Sequence, residues 1–272
     1  MVGRAFLFLS AVLYSYRKTE FHSEGGHVLL AVDIGNTQIL LGLYQGSTLL
    51  GHWRLATDTR KTRDEYFLLL RALTHQEGFI LENLEAVSLA SVVPPLTVLW
   101  KEVFRSLGCP VHLLDPQESP LPLLVDNPRE VGADRIANAL AAHRKYGGYT
   151  VVVDFGTATT FDVISPEGEY LGGAIAPGIM VSWEALLQKA SRLAQVDLDI
   201  PPGVIGKNTV SSLQSGFIFG FASLTEGMLE RIGQELGCPF KRVLTGGLSY
   251  LMAPLLKEEA AVEPFLTLEG LR

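Results

Sequence analysis

From His27 onward the chain opens on a run of strand character, HVLLAVDIGNTQILLGLY, in which apolar and β-branched residues flank a short polar interruption at Asp33, Gly35, Asn36 and Thr37. The shape returns at 151–165, VVVDFGTATTFDVIS, where Val151–Val153 and Phe161–Ile164 suit buried strands and Asp154, Gly156, Thr157, Thr159 and Thr160 stand between them. A tight hairpin needs only a pair of turn residues such as Asn-Gly or Asp-Gly. The additional carboxylate, glycine and hydroxyls make both bends candidates for holding a ligand.

The two segments share one plan: strand, Asp, apolar residue, Gly, small polar pair, strand. Each is followed by a second turn and strand, with Gly46 13 positions after Asp33 and Gly168 14 positions after Asp154. The pattern predicts a duplication whose copies start 121 residues apart, at 33 and 154. In the first copy Thr62-Arg63-Asp64-Glu65 reads as a capping box opening a helix to about His75. A strand at Ala86–Ser91, a helix from Pro94 to about Leu107 and a strand at Val111–Leu114 follow. A helical run at Ile136–Tyr146 precedes the second copy, which predicts helices near 179–192 and 213–236, a strand at Arg242–Leu244, a Gly-Gly turn and a helix from Leu248. Three meandering strands followed by alternating helices and strands, twice over, define an α/β protein of two facing domains, at 28–125 and 126–272, with an Asp-containing turn of each flanking the cleft.

Composition adds limits. The 272 residues are 47% hydrophobic and 19% charged, which suits a globular chain with a substantial core. A net charge of −7 and a pI near 5.4 argue against broad nucleic-acid binding, which needs a basic surface. Cys109 and Cys238 fit no metal-ligand spacing and read as small buried residues in a reducing, cytoplasmic setting. Residues 1–27 carry an apolar run from Ala5 to Tyr14 that is too short to span a bilayer and is followed by no small-residue cleavage site at Tyr14–Arg17; they read as a loose extension or an upstream start, with a weak membrane or partner contact as the alternative and no stable membrane insertion.

At the bends, Gly35 and Gly156 let a ligand approach the backbone, and the amides and hydroxyls of Asn36, Thr37, Thr157 and Thr159 can donate to phosphate oxygens. Asp33 and Asp154 would need a cation between themselves and such an anion. Two such turns with acidic groups point to a nucleoside triphosphate with a metal. A third segment, DNPREVGADR at 126–135, turns at Asn127-Pro128 and leads into the helical run. Adjacent helical residues diverge by roughly 100°, so Asp134 and Arg135 either divide between a ligand and another partner or both reach a ligand from the helix start. A carboxylate at a helix start is stabilised as the anion, which lowers its basicity.

DIGNT at Asp33, DNPREVGADRIANA at Asp126, DFGTATTFD at Asp154, GGAIAPGI at Gly172, GKNT at Gly206 and TGG at Thr245 together, and in that order, resemble the type III pantothenate kinases over nearly all of 28–272. The resemblance implies duplicated ribonuclease H-like domains of the acetate and sugar kinase/Hsp70/actin fold. It also implies ATP-dependent phosphorylation of pantothenate, the first step of coenzyme A synthesis. It places the first phosphate turn on Asp33, Ile34, Gly35, Asn36 and Thr37, with Asp33 near Mg2+ and the triphosphate. The catalytic proton acceptor falls on Asp134 and the substrate segment on Gly132, Ala133, Asp134 and Arg135, with Arg135 suited to the pantothenate carboxylate. A monovalent cation, K+ or NH4+, falls to Asp154, a second nucleotide contact to Thr157 and the adenosine-side turn to Gly246 and Gly247. Thr209 matches a threonine that reaches substrate across a dimer interface, so a homodimer is implied. One departure is Val125, which stands where many members have a tyrosine packing on pantothenate and offers apolar contact without a phenol. In this reading Thr159 also faces the triphosphate and Thr160 points away. Two other functions fit parts of the pattern: a kinase for another small alcohol or an ATPase of the same fold, and a non-enzymatic transcription accessory factor, which the acidic charge and Asp134 disfavour.

Overall fold

The computed structural model describes residues 27–189 and 196–272. The sequence expectations for the N-terminal extension and for the end of the helix near 179–192 fall largely or partly outside these residues. The first sheet begins as an antiparallel meander of β1 (Val28–Ile34), β2 (Gln38–Gln45) and β3 (Thr48–Ala56). Helix α1 (Arg63–Gln76) then leads to β4 (Ala86–Ser91), which pairs parallel with β1, and α2 (Pro94–Ser106) leads to β5 (Val111–Leu113), parallel with β4. The strand order is β3-β2-β1-β4-β5.

Alternation explains the packing. Leu30, Val32 and Ile34 of β1 and Ile39, Leu41 and Leu43 of β2 are fully buried in one apolar cluster with Tyr66 and Leu70 of α1 and Trp100 and Phe104 of α2. The Tyr66, Trp100 and Phe104 rings pack in series at tilted angles, with centroids 5.1 and 5.6 Å apart. Each such side chain contributes about 1.5–3 kcal/mol of burial free energy. The predicted capping box is present: Glu65 N–H donates to Thr62 Oγ1 at 3.3 Å, and Thr62 N–H donates to Glu65 Oε2 at 2.7 Å.

Helix α3 (Ala133–Tyr146) starts at Ala133, earlier than the predicted run from Ile136, so Asp134 and Arg135 lie in its first turn. The second sheet comprises β6 (Thr150–Phe155), β7 (Ala158–Ile164), β8 (Tyr170–Pro177), β9 (Lys241–Thr245) and β10 (Ala261–Val262), in the order β10-β9-β6-β7-β8. Between β8 and β9 run α4 (Ile179–Lys189) and α5 (Thr209–Leu236), and the single-turn α6 (Ser249–Met252) follows β9. Numbered within each half, both sheets read third, second, first, fourth, fifth, which is the duplication expected from the two bends. Helix α5 starts at Thr209 because Asn208 and Ser211 form a reciprocal cap, a pairing outside the Ser/Thr-x-x-Glu pattern.

Contacts group the described residues into two compact units that are discontinuous in sequence. One runs to Gly147 and takes in Ile164–Gly172 and Phe265–Arg272; the other comprises Gly148–Val163 and Gly173–Pro264. The C-terminal helix α7 (Leu266–Leu271), which was not predicted, packs on α3 in the first unit. Thr267 Oγ1 donates to Asn138 Oδ1 at 2.8 Å within this contact, and both residues are buried. Among the described residues no helix is long and apolar enough to cross a membrane.

The α3–α7 contact leaves no room for a side chain at Gly270, where a Cβ would overlap the Ala137 carbonyl. Gly270→Ala is therefore expected to destabilise the protein by about 1–3 kcal/mol through overpacking, seen as a lowered urea midpoint with an unchanged m-value.

Candidate active site

Leu30–Val32 and Val151–Val153 are fully buried, and the first polar side chains after them are Asp33 and Asp154, both half-buried near the carboxyl ends of β1 and β6. Asp33 is in register with Ala90 of β4, and Asp154 with Thr245 of β9. The bends beyond them differ by one residue. Gly35, Asn36 and Thr37 form the first, closed by Gly35 N–H donating to Gln38 O at 3.0 Å; Gly156 and Thr157 form the second, closed by Gly156 N–H donating to Ala158 O at 3.0 Å.

Neither Gly35 nor Gly156 has a positive φ. The turns are thus not the mirror-image types that require glycine. At Gly35 the missing side chain serves space, since a Cβ would sit 3.1 Å from Gln38 O, whereas at Gly156 a Cβ would make only ordinary contact, 3.4 Å from the Asp154 carboxylate. Asn36, Thr37 and Thr157 are exposed, as a ligand-binding turn needs. Thr159 is wholly buried, so the expectation that it meets the triphosphate is not met; strand alternation turned it inward. Thr160 donates to Asp162 Oδ2 at 3.1 Å.

In the second unit the Asp154 bend has two glycine neighbours. Gly246, at φ 85°, follows β9, where a Cβ would overlap the Asp154 carboxylate and lie 2.7 Å from the Phe155 backbone. Gly178 follows β8, where a Cβ would lie 2.7 Å from Gly156 O and overlap Thr157 O. Asp154, Gly156, Thr157 and Gly246 are thereby brought together, with Gly247 next in the chain. The role of Gly178 was missed by sequence reasoning; GGAIAPGI was visible, but not which backbone its last glycine would touch. Thr209 is exposed at the start of α5 in the same unit.

In the first unit Gly132 caps α3, and a Cβ there would overlap Asp134 Oδ1 and lie 3.7 Å from Val92 Cγ1. Val92 N–H donates to Ile34 O at 3.0 Å, which sets the start of α3 at the same end of the first sheet as the Asp33 bend. Asp134 Oδ1 accepts the Arg135 N–H at 2.9 Å. Burial nevertheless pushes the Asp134 carboxyl above the ordinary aspartate range, outweighing the Arg135 amide and charge that act to lower it. The expected loss of basicity at a helix start is thus reversed. The Arg135 guanidinium lies over the buried Tyr170 ring, 5.7 Å from its centroid. The stretch before Val125 pairs with Tyr170 through Leu124 N–H to Tyr170 O at 2.9 Å and Tyr170 N–H to Pro122 O at 2.8 Å. Val125 lies beside Gly172, 3.7 Å from where a Cβ would stand. Tyr170 therefore links Arg135 to the Val125 segment, a role no sequence pattern signalled.

Solved structures place this architecture. The chain aligns with a putative Baf family transcriptional activator from Campylobacter jejuni at TM-score 0.55 and 23% identity, over 89% of this chain and 94% of that one. It also aligns with a ROK family glucokinase from Streptomyces griseus, solved with glucose and AMPPNP, at TM-score 0.52 and 14% identity, over 90% and 97%. With the two matched sheets, these define an α/β protein of the acetate and sugar kinase/Hsp70/actin fold. The sequence profile of type III pantothenate kinase matches residues 29–231. Type III pantothenate kinases from Moorella thermoacetica and Myxococcus xanthus are 50% and 49% identical to it, over 90% of this chain and 97% and 96% of theirs. The chain belongs to the type III pantothenate kinase family. Its activity is accordingly the ATP- and Mg2+-dependent phosphorylation of pantothenate that opens coenzyme A synthesis.

A carboxyl with a raised pKa in the folded state favours folding below its unfolded pKa, near 3.9, and loses that contribution as pH rises through the folded value. Ionised Asp134 thus costs stability at neutral pH. Asp134→Asn, which retains the Oδ1 acceptor, is expected to melt at or above the wild-type temperature at pH 7–8, with the difference shrinking toward pH 4 in scanning calorimetry.

Proposed function

We propose that Asp134 is the proton acceptor of this kinase. The observation that carries the reading is a half-buried carboxylate with raised basicity at the same sheet end as the Asp33 bend. The primary hydroxyl oxygen of pantothenate attacks the γ-phosphorus of ATP, its proton passes to an Asp134 carboxylate oxygen, and ADP leaves. Phosphoryl transfer asks the protein mainly to position the reactants and balance charge. A carboxylate less acidic than usual holds the transferred proton better.

Arg135 recognises the pantothenate carboxylate through its planar fork, with Gly132 and Ala133 shaping the backbone beside it and Val125 giving apolar contact. Ile34, Gly35, Asn36 and Thr37 hold the triphosphate with Thr157, and Gly246 and Gly247 leave room for the nucleoside. Among the described residues no group of three or more His, Cys, Asp or Glu side chains forms a metal cage. Asp33 would hold Mg2+, which would supply neutralisation of phosphate charge when bound. The half-buried Asp154, packed against Gly246, suits K+ or NH4+.

The homodimer reading, with Thr209 contributing across the interface, is supported by apolar exposure around it. Val204 and Ile205 are 67% and 79% exposed, and a groove of about 360 Å³ lined by Leu213, Phe217 and Phe221 runs beside α4. The two free cysteines, Cys109 and Cys238, support work in the cytoplasm.

ADP release from MgATP tests the reading. Turnover is expected to require pantothenate, and Asp134→Asn to lower kcat by about 10²–10⁴-fold, the usual contribution of a general base; near-normal kcat in this variant would remove Asp134 from the role. Replacing potassium by sodium is expected to reduce wild-type activity and to leave Asp154→Asn, already impaired, unchanged.

A further inference from the structure

The residue that leaves the third strand of each half touches the bend that precedes it. Thr57 follows β3; its Oγ1 donates to Gly35 O at 2.7 Å and its N–H to Thr37 O at 3.0 Å. Gly178 follows β8, at the corresponding place in the second half, where a Cβ would lie 2.7 Å from Gly156 O and overlap Thr157 O, so that any side chain would displace these carbonyls. A hydrogen-bonded clamp in one half and a glycine contact in the other thus act on matching atoms, Gly35 O and Gly156 O.

We propose that Thr57 and Gly178 are the positioning residues of the two phosphate turns. In a trans peptide unit the C=O and the following N–H point in opposite directions. Holding Gly35 O toward Thr57 aims the Asn36 N–H away from Thr57, and Gly178 against Gly156 O does the same for the Thr157 N–H. Both aimed amides belong to exposed residues. Backbone donors fixed in advance bind an anion without a reorganisation cost at the moment of binding. Neither bend takes its shape from a glycine in the left-handed region; each is closed by one internal hydrogen bond, and the outside contact adds a second hold on its peptide planes. The loop after Thr57 is itself anchored: Asp58 N–H donates to Tyr66 Oη at 3.1 Å, and Tyr66 Oη donates to Asp58 O at 3.0 Å. Thr57 is therefore tied to the buried face of α1 rather than carried on a loose loop.

The inference rests on the reading that these turns bind the nucleotide phosphates, and the test separates the two. Binding of a fluorescent ATP analogue with Mg2+, the KM values for ATP and pantothenate, and the melting temperature are measured on the full chain. Thr57→Val keeps the shape and the N–H but loses the hydroxyl. It is expected to weaken ATP about fivefold, the worth of one hydrogen bond, with the pantothenate KM unchanged, and Thr57→Ser is expected to restore ATP binding. Gly178→Ala is expected to weaken ATP at least as much. Asp33→Asn reports on the turn itself. If Asp33→Asn weakens MgATP while Thr57→Val does not, or if Thr57→Val alters both KM values equally, the positioning role is overturned and the phosphate reading stands. Wild-type ATP binding in both Asp33→Asn and Thr57→Val would overturn both.

Discussion

A central strand covered on both faces admits only apolar side chains, and that constraint governs the chemistry here. Leu30–Val32 and Val151–Val153 are sealed, with β2 and β4 beside the first run and β7 and β9 beside the second. Polar groups can emerge only where the strand ends, so Asp33 and Asp154 appear near the carboxyl termini and the hairpin turns follow at once. Parallel pairing of the first strand with the fourth then brings the exit of β4, with Val92, and the exit of β9, with Gly246, alongside these carboxylates. Ligand sites outside the carboxyl ends of strands are the general outcome of such sheets.

The start of α3 carries the opposite tension. Burial makes the Asp134 carboxyl less acidic than an ordinary aspartate, at a cost in folding stability. The Arg135 amide and the helix start moderate that cost without cancelling it, while Gly132 leaves the carboxylate the space it occupies. The same helix is held one turn further on by α7, through the Gly270 contact with Ala137 and the buried Thr267–Asn138 hydrogen bond. A C-terminal segment remote in sequence thus steadies the helix that carries Asp134.

Glycines divide by purpose in this protein. Gly246 has a positive φ and a carboxylate where its side chain would be, so conformation and space both demand it. Gly132, Gly178 and Gly270 have ordinary backbones and are required only by what stands next to them. The first kind is signalled by turn patterns such as Thr-Gly-Gly. The second is invisible until the neighbouring chain is in place, because the forbidding atom belongs to a different element.

The sequence by itself determined the repeat, the strand–bend–strand units, the first helix with its Thr62–Glu65 cap, and the residue types at the bends, since these follow from local alternation and local hydrogen bonding. It also carried enough ordered motifs to resemble one kinase family. It did not show that α5 begins at Thr209, where the Asn208 cap uses Ser211 in place of an acidic partner, or that α7 would join the first unit. Thr159 was read as a ligand contact on chemistry alone, and burial decided otherwise. The rise in Asp134 basicity, the stacking of Arg135 on Tyr170 and the clamps at Thr57 and Gly178 were decided by tertiary structure. Desolvation and contact depend on which distant atoms exclude water, and those atoms are assigned only when the sheets and helices have packed.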